Sequence, residues 1–207
     1  MLTDMTHRTY TKRKRAEQEA RTRRRIVEAT VALHEEVGPR ETSIKAIAER
    51  AGVQRLTVYR HFDDDFALFQ ACTGHWLERH PPPEIGAGKG GAPEDRTAEA
   101  LLTLYRYYRA TERIWAVTYR DLELVPALAE ALGGFQAYLD RARDSLLDAW
   151  GAKGAARRRL RASLGHLLSF PTWASLKDQG LHDPEMSRLG AVWAQAAAAG
   201  KGRGRSK

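Results

Sequence analysis

The apolar positions of this chain recur at helical spacing, and no alternating run longer than four residues interrupts them. The pattern predicts an all-α protein of about nine helices. Ile26, Ala29, Thr30, Leu33 and Val37 fall at i, i+3, i+4, i+7 and i+11, the buried face of a helix that opens near Glu17 or Arg21. Gly38 and Pro39 end it, because glycine suits the left-handed position after a helix and proline cannot continue one. Two short helices follow, over residues 43–51 and 54–61. A longer one starts at Asp63, Asp64 and Asp65, whose carboxylates suit the positive end of a helix dipole, and runs to about Arg79. Residues 81–95, PPPEIGAGKGGAPED, read as a mobile loop. Beyond it, helices are expected over residues 95–110, 112–124, 126–150, 155–179 and 183–199. Pro126 suits a first helical position, Pro171 marks a kink, and Asp183 with Pro184 caps the last helix.

Residues 43–62 have a more specific geometry. Ile44, Ile47 and Ala51 line one face of the first short helix, and Ala48 is small where a second helix crosses closely. Gly52 sits where the chain must turn sharply, Val53 is the apolar residue of the turn, and Val58 returns to the shared core. A short helix, a tight turn and a second short helix, propped by a longer one, form a helix-turn-helix. The second short helix exposes Gln54, Arg55, Thr57, Tyr59, Arg60 and His61. Glutamine pairs bidentately with adenine and arginine with guanine, while threonine, tyrosine and histidine donors suit phosphate oxygens. The other reading of the pattern is a packed helical hairpin with a polar surface.

Charge sharpens the first reading. Of a net charge of +8, residues 1–62 carry 14 Lys and Arg against 8 Asp and Glu, whereas residues 63–200 carry 16 against 18. A positive field gathered at the ends of the chain fits one polyanion-binding module. Residues 1–20 read as a flexible basic arm whose run Lys12, Arg13, Lys14 and Arg15 is either a solvated tail or a DNA contact. Residues 201–207 form a basic tail. The single cysteine, Cys72, excludes a disulfide framework and a multi-cysteine metal site, and His75 and His80 are five apart, not four. No metal or cofactor is expected. The first residues lack an apolar signal core, and no apolar run approaches the ~18 residues of a membrane span, so a cytoplasmic protein is expected. No Ser/His/Asp constellation or paired carboxylate points to an enzyme, and Glu112 and Asp121 read as helix-surface acids.

Residues 21–70 resemble the DNA-binding domain of TetR/AcrR-type bacterial transcriptional regulators. The likeness is carried by Arg25-Ile26-Val27-Glu28-Ala29, by Gly38, by the run from Thr42 through Ile47 and Ala48 to Gly52-Val53, and by Thr57-Val58-Tyr59-Arg60-His61-Phe62. The resemblance implies a reading domain over residues 21–66, whose third helix reads bases while Thr42, Thr57, Tyr59 and His61 meet the phosphate backbone. It implies a helical domain over residues 67–200 that binds a small-molecule effector and forms a homodimer. It also implies a regulator, most often a repressor, of an operator in double-stranded DNA. Two departures stand out. Gln54 replaces the usual Ser or Thr, which weakens the helix cap, and Asp65 replaces a usual Lys, which would repel phosphate. The alternative function is a ligand-independent or non-specific architectural DNA-binding protein.

In the second domain, Leu160, Leu164, Leu167 and Leu168, with Leu189, Val192 and Trp193, are spaced for an interface between two copies or for the chain's own core. Tyr107, Trp115, Phe170 and Trp173 are the candidate effector-pocket residues; an aromatic stripe at helical spacing equally builds core. His166 reads as a core or interface histidine, and Arg157, Arg158, Arg159 and Arg161 as a solvated face.

Overall fold

The computed structural model describes residues 2–85 and 90–199, with side chains from Tyr10 onward. The tail expected at 201–207 and residues 86–89 of the loop lie outside the described residues. All regular structure among the described residues is helical. The elements are α1 (Leu2–Glu36), α2 (Ile44–Ala51), α3 (Arg55–His61), α4 (Asp65–Arg79), α5 (Pro93–Ala110), α6 (Glu112–Asp121), α7 (Pro126–Ala131), α8 (Gly133–Ala149), α9 (Gly154–Leu167), α10 (Phe170–Asp178) and α11 (Asp183–Ala199).

Eleven helices replace the nine expected because two predicted helices are each broken. The first breaks at Leu132, immediately before Gly133 and Gly134. The second breaks at Leu168 and Ser169, and Pro171 sits in the first turn of α10 rather than at a kink. A proline there lacks an amide that the first turn would leave unpaired in any case. The start of α1 also differs from expectation: residues 2–20 continue the helix instead of forming an irregular arm. No glycine or proline falls between Leu2 and Val37, and Arg13–Glu17 at 2.9 Å and Arg15–Glu19 at 3.2 Å are i, i+4 ion pairs along this stretch.

The chain divides into two compact units, and the division is not linear. One unit takes α1 to α4 together with Ala116–Leu132; the other takes Pro81–Trp115 and α8 to α11. In the first, Ile26, Ala29, Thr30 and Leu33 of α1 are buried with Ile47, Ala48 and Ala51 of α2, Val58 and Phe62, and Leu68, Phe69, Cys72 and Trp76 of α4. Val37, expected on this buried face, is exposed because α1 ends at Glu36. The Cys72 thiol lies 3.9 Å from the Val27 carbonyl, and burial pushes its pKa up to about 12 against the opposing pull of Thr30 and Arg23. Leu128 of α7 is buried, and α7 packs on α4.

In the second unit α11 packs on α5 and α9, and α8 packs on α9. Leu160, Leu164, Leu167 and Leu168 are fully buried here within the protomer, so these four leucines belong to its own core and not to an interface. His166 is exposed on the protomer, so it is not a core histidine. Asp183 is not a cap: its carboxylate lies inside, bound by Arg109 Nε and Nη2 at 2.8 Å and by the Trp173 indole at 3.2 Å. Burial pushes that carboxyl up, and the hydrogen bonds from Arg109 and Trp173 outweigh it and hold the pKa below the usual range. The carboxylate that caps the start of α11 is Glu185, which accepts the His182 amide at 2.9 Å. Among the described residues no helix is long and apolar enough to cross a membrane.

Candidate nucleic-acid interface

The turn between α2 and α3 is built by local hydrogen bonds. Ser43 Oγ accepts the Ala46 amide at 3.2 Å and opens α2. Gly52 closes it at φ 64°, ψ 43°, and the amides of Gly52 and Val53 donate back to Glu49 and Ala48. Arg25, part of the basic run on α1, donates to the carbonyls of Ala51, the last residue of α2, and of Gly52 after it. Its guanidinium therefore holds the turn. Gln54 precedes α3 with extended backbone and makes no side-chain cap bond, as the sequence predicts for a glutamine there.

Val58 turns α3 into the core, and Gln54, Arg55, Tyr59 and Arg60 are exposed. Thr57 and His61 are half-buried at its flank. Leu56, which the sequence reading did not single out, is also exposed. The Thr42 hydroxyl donates to the Gly38 carbonyl at 2.8 Å, which commits its proton. At the end of the turn Arg23 lies over the Phe62 ring, 4.7 Å from its centroid. Asp64 accepts the Ala67 amide at 2.7 Å and caps α4, while Asp65 is exposed in its first turn.

The basic run on α1 splits by helical face. Lys12, Arg13, Lys14 and Arg15 are all exposed. Arg15 and Arg23 line a cleft of about 660 Å³ with Ala16, Glu19 and Ala20, and Arg60 and His61 of the reading helix close its other side. Arg13 lies outside that lining and pairs with Glu17. Three arginines against one acid, Glu19, which pairs with Arg15, leave the cleft net cationic, as a site for phosphate oxygens requires.

A second set of contacts fixes the loop that leads into α2. Asp121, expected on a helix surface, is buried; its carboxylate accepts the Arg40 amide at 3.0 Å and the Arg120 guanidinium at 2.7 and 2.9 Å. Arg120 also donates to the Val37 carbonyl at 2.9 Å. Arg120 beside it, ahead of the opposing effect of burial, holds the Asp121 carboxyl below its ordinary pKa. A side chain at Gly38 would meet this clamp, with a Cβ 2.6 Å from the Asp121 carboxylate.

The four candidate pocket residues are brought together in the second unit. Trp115, Phe170 and Trp173 are buried and Tyr107 is half-buried. With Tyr108 and Phe135 they form one ring cluster: Trp115 and Phe135 are 4.3 Å apart between centroids, and Phe170 and Trp173 5.4 Å. The Tyr108 hydroxyl donates to the Leu168 carbonyl at 2.8 Å, and the Tyr138 hydroxyl to the Pro83 carbonyl at 2.7 Å. Glu112 is paired with Lys177.

Residues 26–72 match the family of bacterial regulatory proteins, tetR family. No curated protein matches the chain by sequence. Among solved structures the chain is similar to a putative TetR-family transcriptional regulator from Mesorhizobium loti, at 20% identity over 87% of this chain and 96% of that one, with a TM-score of 0.56. It is similar to a TetR-like transcriptional regulator from a Rhodococcus species, at 18% identity over 87% and 97%, with a TM-score of 0.59. It is also similar to the regulator FadR from Bacillus subtilis, solved with stearoyl-CoA, at 20% identity over 86% and 98%, with a TM-score of 0.53. At these identities the likeness is one of fold.

Proposed function

We propose that the chain, whose residues 26–72 match the tetR family of bacterial regulatory proteins and whose fold is similar to that of TetR-like regulators, is a homodimeric transcriptional repressor released from its operator by a small-molecule effector. The observation that carries this reading is α3: a short helix held by Ser43, Gly52 and Arg25, with Gln54, Arg55, Tyr59 and Arg60 exposed. In the major groove Gln54 and Arg55 read adenine and guanine, Thr57, Tyr59 and His61 take phosphates, and Thr42 joins them when its hydroxyl turns from the Gly38 carbonyl to a phosphate oxygen. Lys12, Arg13, Lys14 and Arg15 add sequence-independent attraction.

The aromatic cluster around Tyr107, Trp115, Phe170 and Trp173 supplies the apolar surface for an effector, and a fatty-acyl thioester bound by FadR shows what class of ligand this fold accommodates in that relative. Effector binding favours a state whose two reading heads are wrongly spaced for the operator, and a differential affinity of about 1–3 kcal/mol gives a useful switch. The assignment is tested by gel shift on duplexes selected from a random pool. Arg55→Ala is expected to lose discrimination between selected and random DNA, whereas Tyr59→Phe weakens both alike. An Arg55→Ala protein that keeps the wild-type ratio removes Arg55 from the base readers. A steep salt dependence with no sequence preference would favour a non-specific architectural binder instead.

A further inference from the structure

The outer side of α3 carries an apolar side chain among polar ones. Leu56 is 68% exposed, and the residues around it, Gln54, Arg55, Tyr59 and Arg60, are exposed as well. Successive residues of a helix are about 100° apart, so Leu56 and Arg60 each lie about 160° from the buried Val58, one on either side of the line pointing straight out. Arg55 and Tyr59 sit to one flank of that line, and the half-buried Thr57 and His61 to the other. A surface approaching α3 head-on therefore meets Leu56 and Arg60 first.

Single exposed leucines are ordinary on protein surfaces. This one stands at the outermost point of the helix that enters the groove, where every neighbour is suited to hydrogen bonds. Along the floor of the major groove the one apolar group that base pairs present is the C5-methyl of thymine. Packed against phosphate or amino groups, an isobutyl side chain would strip water from them and offer no hydrogen bond in return. We infer that Leu56 is a base-reading residue, packing on a thymine methyl where α3 meets the floor of the groove. The inference rests on the DNA-binding reading above and adds to it a specificity that the polar readers do not supply.

The full chain is used to select duplexes from a random pool. The recovered duplex is then compared with the same duplex in which every thymine is replaced by deoxyuridine, which removes only the methyl group. Wild-type protein is expected to lose about fourfold in affinity per half-site, the worth of one buried methyl-sized group. Leu56→Ala, which keeps a good helix former at an exposed position, is expected to bind the two duplexes equally, with its thermal midpoint confirming that it is folded. Equal binding of the two duplexes by the wild type overturns the inference, and so does a Leu56→Ala protein that retains the wild-type ratio. Recovery of no sequence at all overturns the DNA reading and this inference with it.

Discussion

His34 shows how one buried side chain ties the stability of the reading unit to pH. Its ring is buried and stacked on Phe69 at 5.1 Å, and burial lowers its pKa from 6.5 to about 4, although Asp121 pulls the other way. On acidification the unfolded chain takes the proton first. Stability is therefore intact above pH 6.5, falls as pH drops, and levels off below about 4. At about 1.4 kcal/mol per unit the full loss is roughly 3 kcal/mol. His34→Phe is expected to flatten urea-unfolding stability across this window; a slope like that of the wild type would remove His34 as its source. Gly52 has a cost of a different kind. Its backbone is left-handed, and an added Cβ would lie 2.9 Å from Arg25 Nη2. Gly52→Ala is expected to destabilise the protein by about 1–2 kcal/mol, read as a lower thermal midpoint.

Among the elements, α1 and α3 have consequences that reach DNA. Because the basic run lies on a helix, removing residues 1–16 deletes Arg15 from the cleft it shares with Arg23, Arg60 and His61. The expected result is a shallower dependence of log affinity on log salt, with base preference kept; an unchanged slope would take the arm off the DNA. The uncapped start of α3 gives an opposite kind of test. Gln54→Ser should add a cap bond and about 0.5–1 kcal/mol of stability, seen as slower amide exchange in α3. Much of this unit is legible in the sequence because its signals are local: Ser43 sits three residues from the amide it caps, and Gly52 marks its own turn. The clamp of Arg120 and Asp121 is not legible, since Asp121 meets Arg40 across 81 positions and nothing in the local pattern of α6 marks a buried acid. Arg25 is hidden for the same reason, as one arginine of a basic run. The predicted helix over 155–179 fails at Pro171 because proline is compatible with both a kink and a helix start, and apolar spacing does not choose between them. The leucines of α9 show the same ambiguity between core and interface, which only packing resolves.

At the scale of the whole molecule, the large apolar side chains exposed on α11 are Val192 and Trp193, with Leu189 half-buried beside them. If two copies associate through this face, Trp193→Glu should move the sedimentation coefficient from dimer to monomer and weaken binding to paired half-sites more than to one. A dimer that survives the substitution would place the interface elsewhere. The excess of Lys and Arg over residues 1–62, 14 against 8 Asp and Glu, means that every DNA measurement on this protein depends on ionic strength, so comparisons belong at one salt concentration. The single thiol offers a way to watch that unit without DNA. Cys72 is packed between α1 and α4 and holds its proton far above neutral pH, so an alkylating reagent can reach a reactive sulfur only when those two helices part. The protein thus carries an internal stopwatch for the opening of its own reading head, and slower labelling on addition of operator DNA would measure, in seconds, how firmly DNA keeps it shut.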